Sequence, residues 1–226
     1  HRHQIPPQVF EKEYKLPQTD GKGNHRANLN RALALLEEAG WKVKNGKLTE
    51  ELTRKTMSFE ILLAQPSFER IALPFVRNLA RLGISARVRT VDTAQYQNRV
   101  NSHDFDMIVK SFSQSLSPGN EQRSFWGSSN ANIIGSGNVI GVQNPAIDDL
   151  IEKIVEAANR PDLIAATRAL DRVLLWNHYV IPQWHSRTYR VAYWNRFSRP
   201  TVSPKYGVGL YTWWVDPAKD SALQKN

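Results

Sequence analysis

The sequence contains no cysteine. That removes a disulfide framework, a thiolate metal site and a cysteine nucleophile together, while leaving the compartment open. No stretch approaches the ~20 consecutive apolar residues a membrane-spanning helix needs. The opening residues, His1-Arg2-His3-Gln4-Ile5-Pro6-Pro7, have no Met and no apolar run of the signal-peptide kind. Pro6-Pro7 reads as the middle of a surface crossing, so the expectation is a piece of a longer protein with its signal peptide elsewhere.

Enzyme signatures are also missing. There is no G-x-S-x-G elbow, no Walker loop and no H-E-x-x-H. The six histidines, at 1, 3, 25, 103, 178 and 185, show no metal-ligand spacing on a helix. Gly135-Ser136-Gly137-Asn138-Val139-Ile140-Gly141 has one residue too many before its last glycine for a dinucleotide loop, and no strand leads into it. Asp104-x-Asp106 reads as a turn and a wet strand face. No catalytic residue, cofactor or metal is expected.

What is present is a globular composition. Of 226 residues, 41% are apolar and 23% charged, enough for a core and too apolar for disorder. Seven Trp, seven Tyr and eight Phe supply core mass and, in loops, surfaces for stacking on a ligand. Lys and Arg outnumber Asp and Glu by 30 to 21, a net charge of +9. Such an excess fits nucleic acid, an anionic surface or an anionic ligand, but the basic residues are dispersed along the chain, as on a solvated face. The densest basic-aromatic segment holds Arg187, Tyr189, Arg190, Tyr193, Trp194 and Arg196. On a strand its arginines fall on both faces, which weakens a nucleic-acid reading; a basic nucleic-acid-binding domain is kept as the alternative.

Along the chain, residues 1–25 are polar and loop-like. Leu29, Ala32, Leu33 and Leu36 stand at the spacing of one buried helix face, and Gly40 followed by Trp41 suits the helix end. Asn45-Gly46 predicts a tight turn, and residues 47–57 read as a polar connection. Phe59–Ala64 has strand character. Ser67 is placed as the cap of a helix carrying Phe68, Ile71, Phe75, Leu79 and Leu82, kinked at Pro74 and closed by Gly83. Ile84, Ala86 and Val88 alternate with Ser85, Arg87 and Arg89 as a half-wet strand, a short helix follows near 94–100, and Phe105–Val109 is a third strand. Strands separated by helices argue for βαβ units and a largely parallel sheet. Residues 111–143 form a long Ser-, Asn- and Gly-rich irregular stretch, the kind that is functional or disordered. Asn144-Pro145 and Pro161 open two further helices, the second running to about Trp176, and Val180–Trp194 is read as strand.

The order of these segments carries a resemblance. Ala32-Leu33-Ala34-Leu35-Leu36-Glu37-Glu38-Ala39-Gly40-Trp41 is similar to the helix of the family 5 solute-binding proteins, the large peptide and nickel binders of ABC importers. Leu82-Gly83-Ile84, Val88–Asp92, Tyr96, Phe105-Asp106-Met107, Asn144–Ile151 and Ile181-Pro182-Gln183-Trp184 follow in the family's order. Pro7–Phe10 through Gly21–Asn24 resembles the branch that imports oligopeptides and microcin C-like peptide-nucleotides. The resemblance implies an α/β fold, a periplasmic-binding-protein-like II lobe with a mixed sheet flanked by helices. Its implied layout is a connecting segment with one helix at 1–55, the α/β lobe at 56–180, and a segment at 181–226 that returns toward another lobe.

It also implies a periplasmic substrate-binding component that binds a peptide-like small ligand in an interlobe cleft and hands it to an ABC permease in the membrane, with no nucleic acid and no chemistry. Ser111, Phe112, Ser113 and Gln114 leave the third strand at the cleft position. Arg123, Trp126, Trp184 and His185 complete the expected ligand-binding set, Arg123 toward an anionic group and Trp126 as a stacking or core residue. Peptide binders of the family often place an Asp in this loop for the ligand's amine. The matching positions here, Gln114 or Ser115, are neutral, so the resemblance does not carry amine recognition of that kind.

Overall fold

The computed structural model describes residues 1–23, 25–183, 186 and 188–223. The chain divides into two compact units, His1–Val180 and Ile181–Asn226.

The first unit opens with a single turn, α1 (Gln8–Glu11), whose Val9 is buried. α2 (Arg26–Glu38) turns Leu29, Ala32, Leu33 and Leu36 onto Leu48, Leu82 and Ile84. Gly40 ends it at φ 84°, the left-handed conformation a glycine adopts without steric cost, and Trp41 folds back onto the same cluster. β1 (Trp41–Lys44) and β2 (Lys47–Glu50) then pair antiparallel across Asn45-Gly46, both at positive φ as a two-residue hairpin turn requires.

Residues 47–57 are therefore not the polar connection expected from their composition. Leu48 is 1% exposed, its N–H donates to the Gly83 carbonyl at 2.8 Å, and its own carbonyl accepts from Met57. One apolar side chain in a polar run is covered because the hairpin folds against Gly83. A Cβ on that glycine would lie 2.7 Å from the Leu48 nitrogen, so the close approach and the positive φ both require glycine there.

The sheet is built from β3 (Ser58–Leu63), β4 (Ser85–Thr90) and the short β5 (Met107–Ile108), joined by α3 (Glu69–Ala80) and α4 (Thr93–Asn101). Its order is β4-β3-β5 and both pairings are parallel. The two crossovers run in opposite directions along the sheet, so right-handed connections put α3 and α4 on opposite faces. Side-chain contacts agree: Ile61, Leu63 and Val88 pack with Ala72 and Phe75 of α3, whereas Glu60 meets Arg99 of α4. Ser67 does not cap α3. It lies in a 3-10 turn, Pro66–Phe68, and the α-helix starts at Glu69 and continues through Pro74.

The irregular stretch holds one short α-helix, α5 (Glu121–Trp126), followed by a 3-10 turn, Ser128–Asn130. α6 (Pro145–Val155) and α7 (Arg160–Trp176) follow, capped by Asn144, which accepts from Ala146 N–H at 2.9 Å, and by Asn159, which accepts from Asp162 N–H at 3.0 Å. α7 thus begins one residue before the predicted Pro161. Ile147, Ile151, Ile154, Leu170 and Val173 from this pair enclose the largest core together with Val9, Trp126 and Val142.

In the second unit, β6 (Phe197–Ser198) pairs antiparallel with β7 (Trp214–Val215), and Asp216 caps α8 (Pro217–Leu223) by accepting from the Ala218 and Lys219 N–H groups. The expected strand over Val180–Trp194 does not form among the described residues. A strand needs a hydrogen-bonding neighbour, and here Tyr189 and Trp194 stand 69% and 76% exposed.

Candidate functional site

Parallel strands send all their carboxyl ends to one edge, and the loops leaving that edge are where open α/β sheets place ligand contacts. β5 feeds such a loop, residues 109–120, and the unit's other elements hold it from behind. Tyr96 on α4 donates its hydroxyl to the Val109 carbonyl at 3.1 Å. The half-buried Phe112 ring sits 4.6 Å from Trp126 and 5.4 Å, edge-on, from Phe125, both on α5. Gln122 on α5 donates its amide to the Gln114 side-chain oxygen at 2.6 Å. Arg160, at the start of α7, donates to the Leu116 carbonyl at 2.6 Å. Ser115 Oγ accepts the Ser117 N–H at 3.0 Å. Ser111, Ser113 and Gln114 remain exposed in front of these anchors.

The strand entering this loop is held by a charged cluster that sequence reading missed. Glu60 on β3 is 5% exposed. Its carboxylate accepts from Arg99 at 2.8 Å and from Arg87 at 3.2 Å, with Arg89 3.9 Å away. Burial alone would raise its pKa; hydrogen bonds from Arg99 and Arg87, with the charges of Arg99 and Arg89, outweigh it and hold the carboxyl below its ordinary value. Asp106 accepts the Glu60 backbone N–H at 2.8 Å, and Asp104 accepts from Arg99 at 2.9 Å. The aspartate pair thus ties β3, α4 and the approach to β5. Nothing in the local sequence pattern marks Glu60; only strand register brings it beside Arg87.

The remaining candidates fall in different settings. Trp126 is 7% exposed and packed in the core with Val142, Ile147 and Ile151, where it backs Phe112. Arg123 donates to Glu152 at 2.8 Å through Nε, again to Glu152 through Nη2, and to Asn120 at 2.5 Å through Nη1. The Glu152 hydrogen bond raises Arg123 and lowers Glu152 from their ordinary values. An anion arriving at Arg123 competes with that carboxylate. Trp184 and His185 lie outside the described residues. The structure therefore brings Ser111, Phe112, Ser113 and Gln114 together with Trp126 behind them, and leaves Arg123 engaged beside them.

Gln122 was not anticipated from the sequence. It is 4% exposed, one turn before Trp126 on α5. A helix period through Gln122 and Trp126 was the available signal, hidden because the surrounding stretch reads as irregular. Among the described residues no group of three or more His, Asp or Glu is placed to hold a metal ion.

The model of the bacterial extracellular solute-binding proteins, family 5 Middle, matches residues 3–133. The uncharacterized protein y4wM of Sinorhizobium fredii is 46% identical over 95% of this chain and 32% of its own length. The probable peptide-binding protein YejA of Agrobacterium fabrum is 44% identical over 95% of this chain and 35% of its own. The chain thus spans about a third of the length of the curated relatives it matches. Among solved structures, the oligopeptide-binding protein AppA of Bacillus subtilis, in complex with a nonapeptide, superposes with a TM-score of 0.60 at 23% identity, covering 78% of this chain and 34% of that one. That likeness establishes the α/β fold.

Proposed function

The chain belongs to the bacterial extracellular solute-binding proteins of family 5, a family of binding proteins and not of enzymes, and we propose that it lines the ligand cleft of an ABC importer's substrate-binding component. The ligand is an oligopeptide or a peptide-like molecule. The partner is the importer's membrane permease, and the site of action is the periplasm. Closure of the cleft excludes water around the ligand, many main-chain hydrogen bonds hold it, and no bond is made or broken.

The observation that carries this reading is the loop at the carboxyl edge of the sheet. Residues 111–117 carry no ionisable side chain, are anchored from behind by Phe112 and Gln122, and expose serine hydroxyls and the Gln114 amide. Such a surface suits the repeating dipoles of a peptide backbone. The 44% identity to a probable peptide-binding protein supports the same ligand class. Family membership favours this reading over a nucleic-acid-binding domain, and the pairing of Arg123 with Glu152 removes one cation from the phosphate-binding alternative.

Amide NMR shifts recorded while mixed tri- to hexapeptides are titrated, with a DNA duplex as control, test the proposal. Peptide-induced shifts centred on residues 111–114 and little altered by salt are expected. Salt-sensitive shifts produced by DNA alone would instead favour the nucleic-acid reading, since phosphate binding weakens steeply with added salt.

A further inference from the structure

We infer that the 111–117 loop presents hydrogen-bond donors, and that Gln114, oriented by Gln122, reads an acceptor oxygen of a peptide ligand and not its ammonium group. This rests on the reading above that the loop faces the ligand.

The orientation follows from a chain of contacts that begins at Glu121. A carboxylate only accepts, and Glu121 Oε1 receives the Gly119 N–H at 3.0 Å and the Gln122 side-chain nitrogen at 3.3 Å. Turning the Gln122 amide over would set its carbonyl against that carboxylate, so Nε2 is held toward Glu121. The same nitrogen donates to Gln114 Oε1 at 2.6 Å. Gln122 is 4% exposed, so water does not compete for this bond as it does at the surface. With its oxygen engaged, exposed Gln114 is left with its NH2 group, for which no acceptor stands among the described residues.

The charges around the loop point the same way. Glu121 receives two donors, and Glu152 is committed to Arg123. Arg160 donates to the Leu116 carbonyl, and exposed Lys110 stands at the loop's entrance. Glu152 is neutralised by Arg123, the Glu121 carboxylate keeps its charge but turns Oε1 toward Gly119 and Gln122, and an ammonium arriving at the loop's entrance meets a lysine of its own sign. An oxygen acceptor finds the Gln114 amide and the loop's hydroxyls. That acceptor is a main-chain carbonyl or the ligand's C-terminal carboxylate.

The test uses trialanine, N-acetyl-trialanine and trialanine amide, each titrated into the 15N-labelled chain while backbone and Gln side-chain NH2 signals are followed. Acetylation, which removes the ammonium, is expected to change Kd by no more than about twofold, and the Gln114 NH2 signals are expected to move on binding. Amidation separates the two sources: a loss of about tenfold assigns the carboxylate, and unchanged affinity assigns a carbonyl. Gln114→Glu replaces donors by acceptors and should weaken the acetylated peptide about tenfold while sparing the free amine. Gln122→Met releases the Gln114 oxygen and should erode the tolerance of acetylation, with the melting curve checked alongside, an effect a purely structural role does not produce. If peptides move the loop but acetylation weakens binding tenfold in the wild type, the donor assignment is wrong and the peptide-binding reading stands. If none of the three peptides moves residues 111–117, that reading fails and takes this inference with it.

Discussion

Two halves of one irregular stretch are built on opposite plans. Residues 127–142 wrap around the side chain of Asn138, which is fully buried, donates to the Gly127 and Val142 carbonyls at 3.0 and 2.9 Å, and accepts the Val142 N–H at 2.9 Å. Gly137 fits beside it because a Cβ there would lie 2.6 Å from Ser124 Oγ. Residues 111–117 reverse the arrangement: Phe112 and the Gln114 oxygen are tied inward, and the polar remainder faces out. The first half uses an amide to satisfy buried backbone. The second uses one as an exposed donor. Equal polarity in sequence therefore hides one loop folded around its own amide and another whose polar groups face out.

The largest expected effect lies in the first half. Asn138→Ala strips hydrogen bonds from three buried backbone groups with no water to replace them, and should cost about 3 kcal/mol. In a domain of this size that is a fall in Tm of roughly 6–12 °C by thermal melting. A loss no greater than that of a surface substitution would break the contrast.

A middling effect tests the same inside-outside difference with carboxylates. Glu60→Gln leaves Arg99 paired with Asp104 alone while the exposed Arg87 and Arg89 regain water, a cost of about 1–2 kcal/mol in urea unfolding at neutral pH. The folded carboxyl of Glu60 is held below its unfolded value, so its contribution is present above the unfolded pKa of about 4.3 and is lost as pH falls through the lower folded value. The gap between wild type and Glu60→Gln should narrow as the pH drops below about 4. A gap that stays constant with pH would assign the cost to packing alone.

The smallest effect is expected at the exposed pair. Glu152 and Arg123 both stand in solvent despite their two-point contact, and such pairs contribute little because water and salt screen them. Glu152→Gln should leave the melting curve unchanged. It should also free Arg123, so that added phosphate or a phosphorylated peptide shifts the Arg123 side-chain signal only in the variant. A clear loss of stability would show that this pair clamps α5 to α6.

Much of this was legible in the sequence. The helix face Leu29–Leu36, the glycine stop at 40, the Asn45-Gly46 turn and the Asn144 cap are local features, each decided within a few residues by sterics and hydrogen bonding. The order of such segments was enough to indicate the family. Leu48 was missed because its burial depends on Gly83, brought up by the fold from far along the chain. The strand expected after Val180 failed for the complementary reason: alternation proposes a strand, and only a pairing partner makes one.

The candidate loop divides along the same line. Its position after the third strand and its lack of charge are sequence properties, and it was the family resemblance that nominated Ser111 to Gln114 from that position. That Trp126 is a wall behind the loop, that Arg123 is occupied, and that Gln122 turns the Gln114 amide outward depend on where α5 lies against β5 and α6. By itself the sequence determined the elements, their order and the neutrality of the loop, because these arise from neighbours along the chain. The tertiary structure alone decided which polar groups were satisfied inward and which were left facing out, because hydrogen bonds between distant segments exist only once packing has brought those segments together.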